Sequence, residues 1–188
     1  MHELFFKNIA KHIDLEDFEK DLIKSKLHLK MVRKNDVLLE SGSYCREIYF
    51  VTSGCLRIFQ HHEDGTETSV LFCPENWWAS DIVSFSQGQP STFSIEALED
   101  GVVTTINAVN LEELYRQIPK LERFFRILFQ NGFALYQRRL TLALSSSAEI
   151  RYNLFSKQYP NLINRVALKH IASYLGITPV FLSIIRKK

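Results

Sequence analysis

Three cysteines, five prolines and seven glycines in 188 residues leave several architectures without raw material. Glycine is too scarce for a collagen-like repeat, and 46% hydrophobic with 23% charged residues excludes a disordered tail. Cys45, Cys55 and Cys73 are an odd set with no C-x-x-C spacing, which rules out a disulfide scaffold. Half-buried free thiols in a β-domain are expected of them, rather than a metal site or redox sensor. No apolar run approaches the roughly 18 residues that a bilayer span needs. Met1–Lys7 lacks the apolar core of a secretory signal, so a cytoplasmic protein without a membrane partner is expected.

Net charge is also scarce, at +2, and the mean conceals a dipole. Residues 1–110 carry 10 basic and 17 acidic side chains, a net of −7; residues 111–188 carry 13 and 4, a net of +9. Such asymmetry marks the second half as a polyanion-facing segment.

The rhythm of the chain divides in the same place. Asp14 reads as the N-cap of a helix through Leu15, Phe18, Leu22 and Ile23. Short apolar runs then follow one another at Val37–Leu39, Ile48–Val51, Leu56–Phe59 and Thr68–Phe72, with further runs at Thr92–Leu98 and Val102–Asn107. Turn residues punctuate them, and Asp64-Gly65 is a strong hairpin signal. This spacing predicts an antiparallel roll or barrel. His61-His62 falls at a hairpin end, where adjacent strand residues point to opposite faces and cannot easily chelate one ion. No H-x-H…E set appears, and no local Ser/His/Asp or Cys/His set, so no metal, cofactor or enzyme activity is expected.

After Asn110, read as a helix cap, the pattern is helical. Leu121, Leu128, Leu135 and Leu142 recur every seven residues, joined by Phe125. That period suits a helix packed lengthwise against a partner helix. A helix lying on its own β-domain would show a similar stripe, but the helix's length favours self-association, and these five residues are the expected dimerisation face.

The sharpest feature runs from Leu168 to Lys187. Leu168, Ile171 and Leu175 form one apolar face, and Gly176 follows where a helix ends in a left-handed conformation. Thr178 is placed to cap a second helix with Pro179 in its first turn, and Leu182 and Ile185 give that helix a buried side. Ala172 stands where two steeply crossing helices leave room only for a small side chain. An αα-corner shares most of these demands; the basic ending favours a DNA-binding helix-turn-helix.

The order of roll, long helix and helix-turn-helix resembles the cyclic-AMP receptor/FNR family of bacterial transcription regulators. The resemblance covers nearly the whole chain. It is most specific in Glu40-Ser41-Gly42, Ile48-Tyr49-Phe50-Val51 and Gly54-Cys55-Leu56-Arg57, and again in Leu168–Lys187. It implies an α+β protein with an effector-binding β-roll over residues 1–118, a dimerisation helix over 119–145 and a DNA-binding unit over 146–188. Double-stranded DNA, a second copy of the chain and a small-molecule effector are the implied partners, with RNA polymerase a further candidate.

Two departures qualify it. Family members that bind cyclic AMP hold its phosphate with a Gly-Glu-Leu turn and an Arg-Ser pair. Here Ala79 and Ser80 replace the Gly-Glu and Ser91 replaces the arginine, so a charge-assisted contact is lost and the effector is expected not to be cyclic AMP. Asp81 would further repel a phosphate unless it points into solvent. Trp78, Ser80, Asp81, Ser91 and Thr92 are the candidate lining of a pocket for another ligand; Trp77 and Trp78 read equally well as packing. The iron–sulfur cysteine cluster of the FNR type is absent near the N-terminus.

The second helix of the motif departs too. At its expected base-reading positions stand Pro179, Val180 and Ile184, with Ser183 the short polar reader. Lys169, Thr178, Arg186, Lys187 and Lys188 are suited to phosphates. Weak base specificity and salt-sensitive binding follow. The alternative is a sensor or scaffold dimer whose DNA-binding helix has decayed into a protein-contact face.

Overall fold

The computed structural model describes residues 2–187. Two helices open the chain, α1 (Glu3–Ile9) and α2 (Asp17–Lys26). Glu16, not Asp14, is the N-cap of α2; its amide donates to the Glu19 carboxylate at 2.7 Å, fixing the entry turn two residues later than expected.

Eight strands follow: β1 (His28–Val32), β2 (Val37–Leu39), β3 (Glu47–Ser53), β4 (Leu56–His61), β5 (Glu67–Cys73), β6 (Trp78–Ala79), β7 (Ser94–Ala97) and β8 (Gly101–Asn107). A short helix α3 (Ile82–Gln87) lies between β6 and β7. The strands pair antiparallel in two four-stranded sheets, ordered β1-β8-β3-β6 and β2-β7-β4-β5. Val51, Leu56, Ile58, Ile95, Ala97 and Val103 fill the space between them. The Asp64 carboxylate accepts from the Thr66 amide at 2.9 Å and closes the β4–β5 hairpin. At the other end Gly101 passes so near the turn after β3 that a Cβ there would stand 2.2 Å from the Ser53 carbonyl oxygen.

β1 was not legible in the sequence: four of its five residues are exposed, so the strand lacks an apolar alternation. It is held by pairing with β8 from His28↔Thr105 to Val32↔Gly101.

The helical half consists of α4 (Ala108–Gln117), α5 (Lys120–Ser145), α6 (Ala148–Gln158), α7 (Leu168–Leu175) and α8 (Pro179–Ile185). Asn107, not Asn110, caps α4 by accepting the Asn110 amide at 2.8 Å. The start of α5 packs with α1, α2 and α4 against Ile48 and Phe50 of β3. Lys120 pairs with Glu19 at 2.6 Å and ties α5 to α2.

This packing engages part of the expected dimer face within the chain itself and leaves Leu128, Leu135 and Leu142 half-buried. Leu121 and Phe125 are buried in the protein's own core, Leu128 packs on the same cluster and Leu135 packs on the inter-sheet core. Leu142 faces a crevice shared with α6 and α7. The leucine period thus follows the side of α5 that lies along the roll. The outward face carries Phe129, Phe133, Tyr136, Leu140 and Leu144, spaced by four, three, four and four residues. It is apolar and exposed, with Phe133 at 65% and Leu144 at 80%.

Candidate nucleic-acid interface and ligand cavity

α7 and α8 are bent by 91° across a short turn. Gly176 adopts φ 65°, ψ 41°, a left-handed conformation that L side chains adopt at a cost, and the Ile177 amide reaches back to the Ala172 carbonyl at 3.0 Å. The Thr178 hydroxyl then accepts the Phe181 amide at 3.2 Å, with Pro179 in the first helical turn, where no N–H is needed. Ala172 and Leu182 are fully buried at the crossing, and Ile185 is buried beside them. The spacing read from the sequence thus produces a helix-turn-helix geometry.

The outward face of α8 is apolar. Val180 is 72% exposed, Ile184 52% and Phe181 45%. Ser183 is not a free reader, because its hydroxyl donates to the Pro179 carbonyl at 2.9 Å. Pro179 and Thr178 are exposed, as are Lys169 on α7 and Arg186 and Lys187 after α8; Lys188 lies outside the described residues. Part of the positive charge of the second half is engaged internally. Arg165 pairs with Glu75 at 2.7 Å and Glu99 at 3.1 Å, while Arg139 and Arg151 hold the Tyr174 and Leu175 carbonyls that end α7. Lys169, Arg186 and Lys187 are the cations that flank the motif at the surface.

α7 is also fastened to the roll. Its Ser173 hydroxyl accepts the Ser69 amide at 2.8 Å and donates to the Glu67 carbonyl at 2.6 Å, covering the free edge of β5. Phe72, Cys55 and Leu98 of the roll share one core with Phe155, Tyr159, Ile171, Tyr174 and Leu175. Beside it, the fully buried Arg57 guanidinium stacks on Phe59 at 3.9 Å and pairs with Glu67 at 2.6 Å and Glu96 at 2.7 Å. Arg57 Nη1 also donates to His170 Nδ1 on α7, so His170 is the neutral tautomer protonated at Nε2. Burial, and then the Arg57 charge, lower the His170 pKa to about 4. Sequence reasoning missed this clasp between β4 and α7. Its one signal was a lone arginine inside the apolar run Leu56-Arg57-Ile58-Phe59.

The candidate pocket residues separate into two groups. Asp81 is buried and does not point into solvent. One carboxylate oxygen accepts the Val83 and Ser84 amides at 3.0 and 3.2 Å, capping α3, and the other accepts the Ser91 hydroxyl at 2.7 Å. These donors are the set an external anion would use, and the chain's own carboxylate occupies them. Thr92 is exposed beside this knot. Trp78 meets Phe5, Phe50 and Phe124 at tilted angles and Phe125 edge-on, and its indole N–H donates to Asn8 at 2.9 Å, so packing accounts for most of its ring. Ser80 hydrogen-bonds toward Cys45 and the Glu47 carbonyl. The three thiols are free and wholly buried rather than half-buried; burial pushes Cys55 up to about 12 and Cys73 well above its ordinary value.

Trp78 and Ser80 also border a cavity of about 430 Å³ between the roll and α5. Ile48, Ile58, Leu71 and Ala79 form its roll side, Leu128, Gly132 and Tyr136 its α5 side, and Ile82, Val83, Phe129 and Phe133 complete the wall. No charged side chain lines it. Gly132 lies in the middle of a 26-residue helix, where glycine costs about 1 kcal/mol relative to alanine. A Cβ there would meet nothing within 4 Å, so no close approach demands glycine. Tyr136 makes no hydrogen bond among the described residues. Among the described residues no group of three or more His, Cys, Asp or Glu is placed to hold a metal ion, and no single helix is long and apolar enough to cross a membrane.

Comparison with known proteins places this geometry. Residues 29–118 match the cyclic nucleotide-binding domain. Electron transport regulator A of Shewanella oneidensis is 26% identical over 174 residues, covering 84% of this chain and 66% of its own length. The fumarate and nitrate reduction regulatory protein of Vibrio cholerae is 28% identical over 162 residues, covering 79% and 63% respectively. The chain thus spans slightly less than two thirds of these relatives. The structure of FixK2 from Bradyrhizobium japonicum superposes with a TM-score of 0.77 at 16% identity, covering 86% of this chain and 83% of that one, a likeness of fold.

Proposed function

From the match of residues 29–118 to the cyclic nucleotide-binding domain and the likeness to FNR-type regulators, we propose that the chain is a homodimeric, DNA-binding transcription regulator of the cyclic-AMP receptor/FNR family whose effector is not cyclic AMP. The observation that carries this reading is the α7–turn–α8 unit, with its 91° bend, left-handed Gly176 and capped, outward-facing second helix. In this reading α8 enters the major groove, and Lys169, Arg186 and Lys187 contact phosphates on either side. Val180 and Ile184 offer methyl contacts and no hydrogen-bond code, so docking rests mainly on charge and shape. The self-capped Asp81 and the missing phosphate-pairing arginine support an effector other than cyclic AMP. The exposed apolar face of α5, from Phe129 to Leu144, supports self-association. No catalytic role is assigned to any residue.

Exposed Val180, Phe181 and Ile184 favour one second reading, a sensor dimer that uses this face to hold a protein. The two part on charge. Arg186→Glu with Lys187→Glu abolishes binding to a labelled DNA duplex if α8 docks on DNA. Unaltered DNA affinity in that double variant contradicts the regulator reading.

A further inference from the structure

We infer that the crevice enclosed by the end of α5, α6 and α7 is a binding site for a small amphiphilic anion, an acidic head group carried on an apolar body. Arg138, Arg139 and Arg151 line it, and no acidic side chain does. Elsewhere the chain compensates its sequestered arginines with carboxylates: Arg57 and Arg165 are each matched by two glutamates. In the crevice the acceptors are neutral. Arg139 donates to the Val70 carbonyl and to that of Tyr174 at 2.9 Å, and Arg151 to those of Leu175 at 3.0 Å and Ser146 at 2.7 Å. Arg138, exposed at the rim, makes neither a hydrogen bond nor an ion pair among the described residues. The carbonyl end of α7 brings roughly half a negative charge to this place, so most of the positive charge is left without compensation.

The crevice has a volume of about 290 Å³, at the small end of ligand sites. A guanidinium fork takes a carboxylate or a phosphate ester through paired N–H donors, which sets the head group. Leu142, Leu154 and Phe155 supply an apolar wall beside the arginines, which sets the body. An inorganic ion would leave that wall uncovered, and an uncharged ligand would leave the guanidinium groups unpaired. Tyr174 and Gly176 bring the turn of the helix-turn-helix to the same crevice. The regulatory meaning of an occupant there rests on the regulator reading; the site itself does not.

The test needs no DNA, so its failure is distinct from failure of the regulator reading. The full chain is titrated by calorimetry with decanoate, decyl phosphate and decanol. Saturable binding of one anion per chain is expected, the tighter of the two naming the head group, with decanol weaker by about tenfold or more. Arg138→Glu reverses an exposed charge that ties no other part of the fold. It is expected to weaken both anions by about tenfold or more and to leave decanol unchanged. No saturable binding of either anion, decanol binding as tightly as they do, or unchanged anion affinity in Arg138→Glu overturns the assignment. Should that variant fail to fold, Arg138→Gln decides by the same comparison, and unchanged anion affinity is again the contradicting result.

Discussion

Ser91 donates its hydroxyl proton to Asp81 across 2.7 Å, and both side chains are buried at the start of α3. The Val83 and Ser84 amides point at the same carboxylate. A phosphate arriving here would have to displace a charge already satisfied from three sides. Calorimetry is therefore expected to show no cyclic AMP binding. Asp81→Ala removes the cap of α3 and leaves the Ser91 hydroxyl to the Phe93 carbonyl and amide, lowering stability by about 1–2 kcal/mol in urea unfolding, without creating cyclic AMP affinity. Cyclic AMP binding by the unaltered protein contradicts this account of the cassette.

The two faces of α5 make opposite predictions. Phe133→Glu and Leu140→Glu alter exposed positions and should yield a folded monomer by sedimentation velocity, with unchanged circular dichroism. Leu128→Glu places a carboxylate against the protein's own core and should destabilise the fold by about 3 kcal/mol. A folded monomer from Leu128→Glu, with Phe133→Glu still dimeric, would make the leucine stripe the interface.

The Arg57–His170 contact gives the link between roll and helix-turn-helix a pH dependence. Unfolded His170 takes up a proton near 6.5, whereas in the folded chain burial and Arg57 delay uptake to about 4. Between those values the unfolded state binds more protons, so stability contributed by this contact falls as pH drops from about 6.5 toward about 4. His170→Asn keeps a hydrogen-bond acceptor for Arg57 without a titrating ring. Its unfolding midpoint in urea should stay flatter over that window than that of the unaltered protein. Parallel pH profiles would show that His170 has no part in the effect.

What was legible in the sequence followed from local rules. Asp64-Gly65, Gly176, Thr178 and Pro179 each dictate a backbone conformation within a few residues, so hairpin and helix-turn-helix could be read directly. The strands β3, β4, β5 and β8 announced themselves by short, largely apolar runs, and β1 did not, since its place depends on β8 some seventy residues away. The leucine stripe told which residues share a face of α5 and nothing about what that face meets. Arg57 and His170 lie 113 residues apart and meet only through the docking of α7 on β5, which no spacing encodes. The charge split was a sound guide to sign and a poor one to amount, since Arg165, Arg139 and Arg151 are engaged inside the fold.

The central claim, that this chain docks on duplex DNA mainly through charge, is tested most directly by fluorescence anisotropy with a random-sequence duplex over a range of salt concentrations. Lys169, Arg186 and Lys187 of two protomers give roughly six phosphate contacts, and each contributes about 0.9 to the log–log slope. The account predicts a slope of about −5 and only a weak preference among duplex sequences. Undetectable binding at low ionic strength, or binding indifferent to salt, would contradict it.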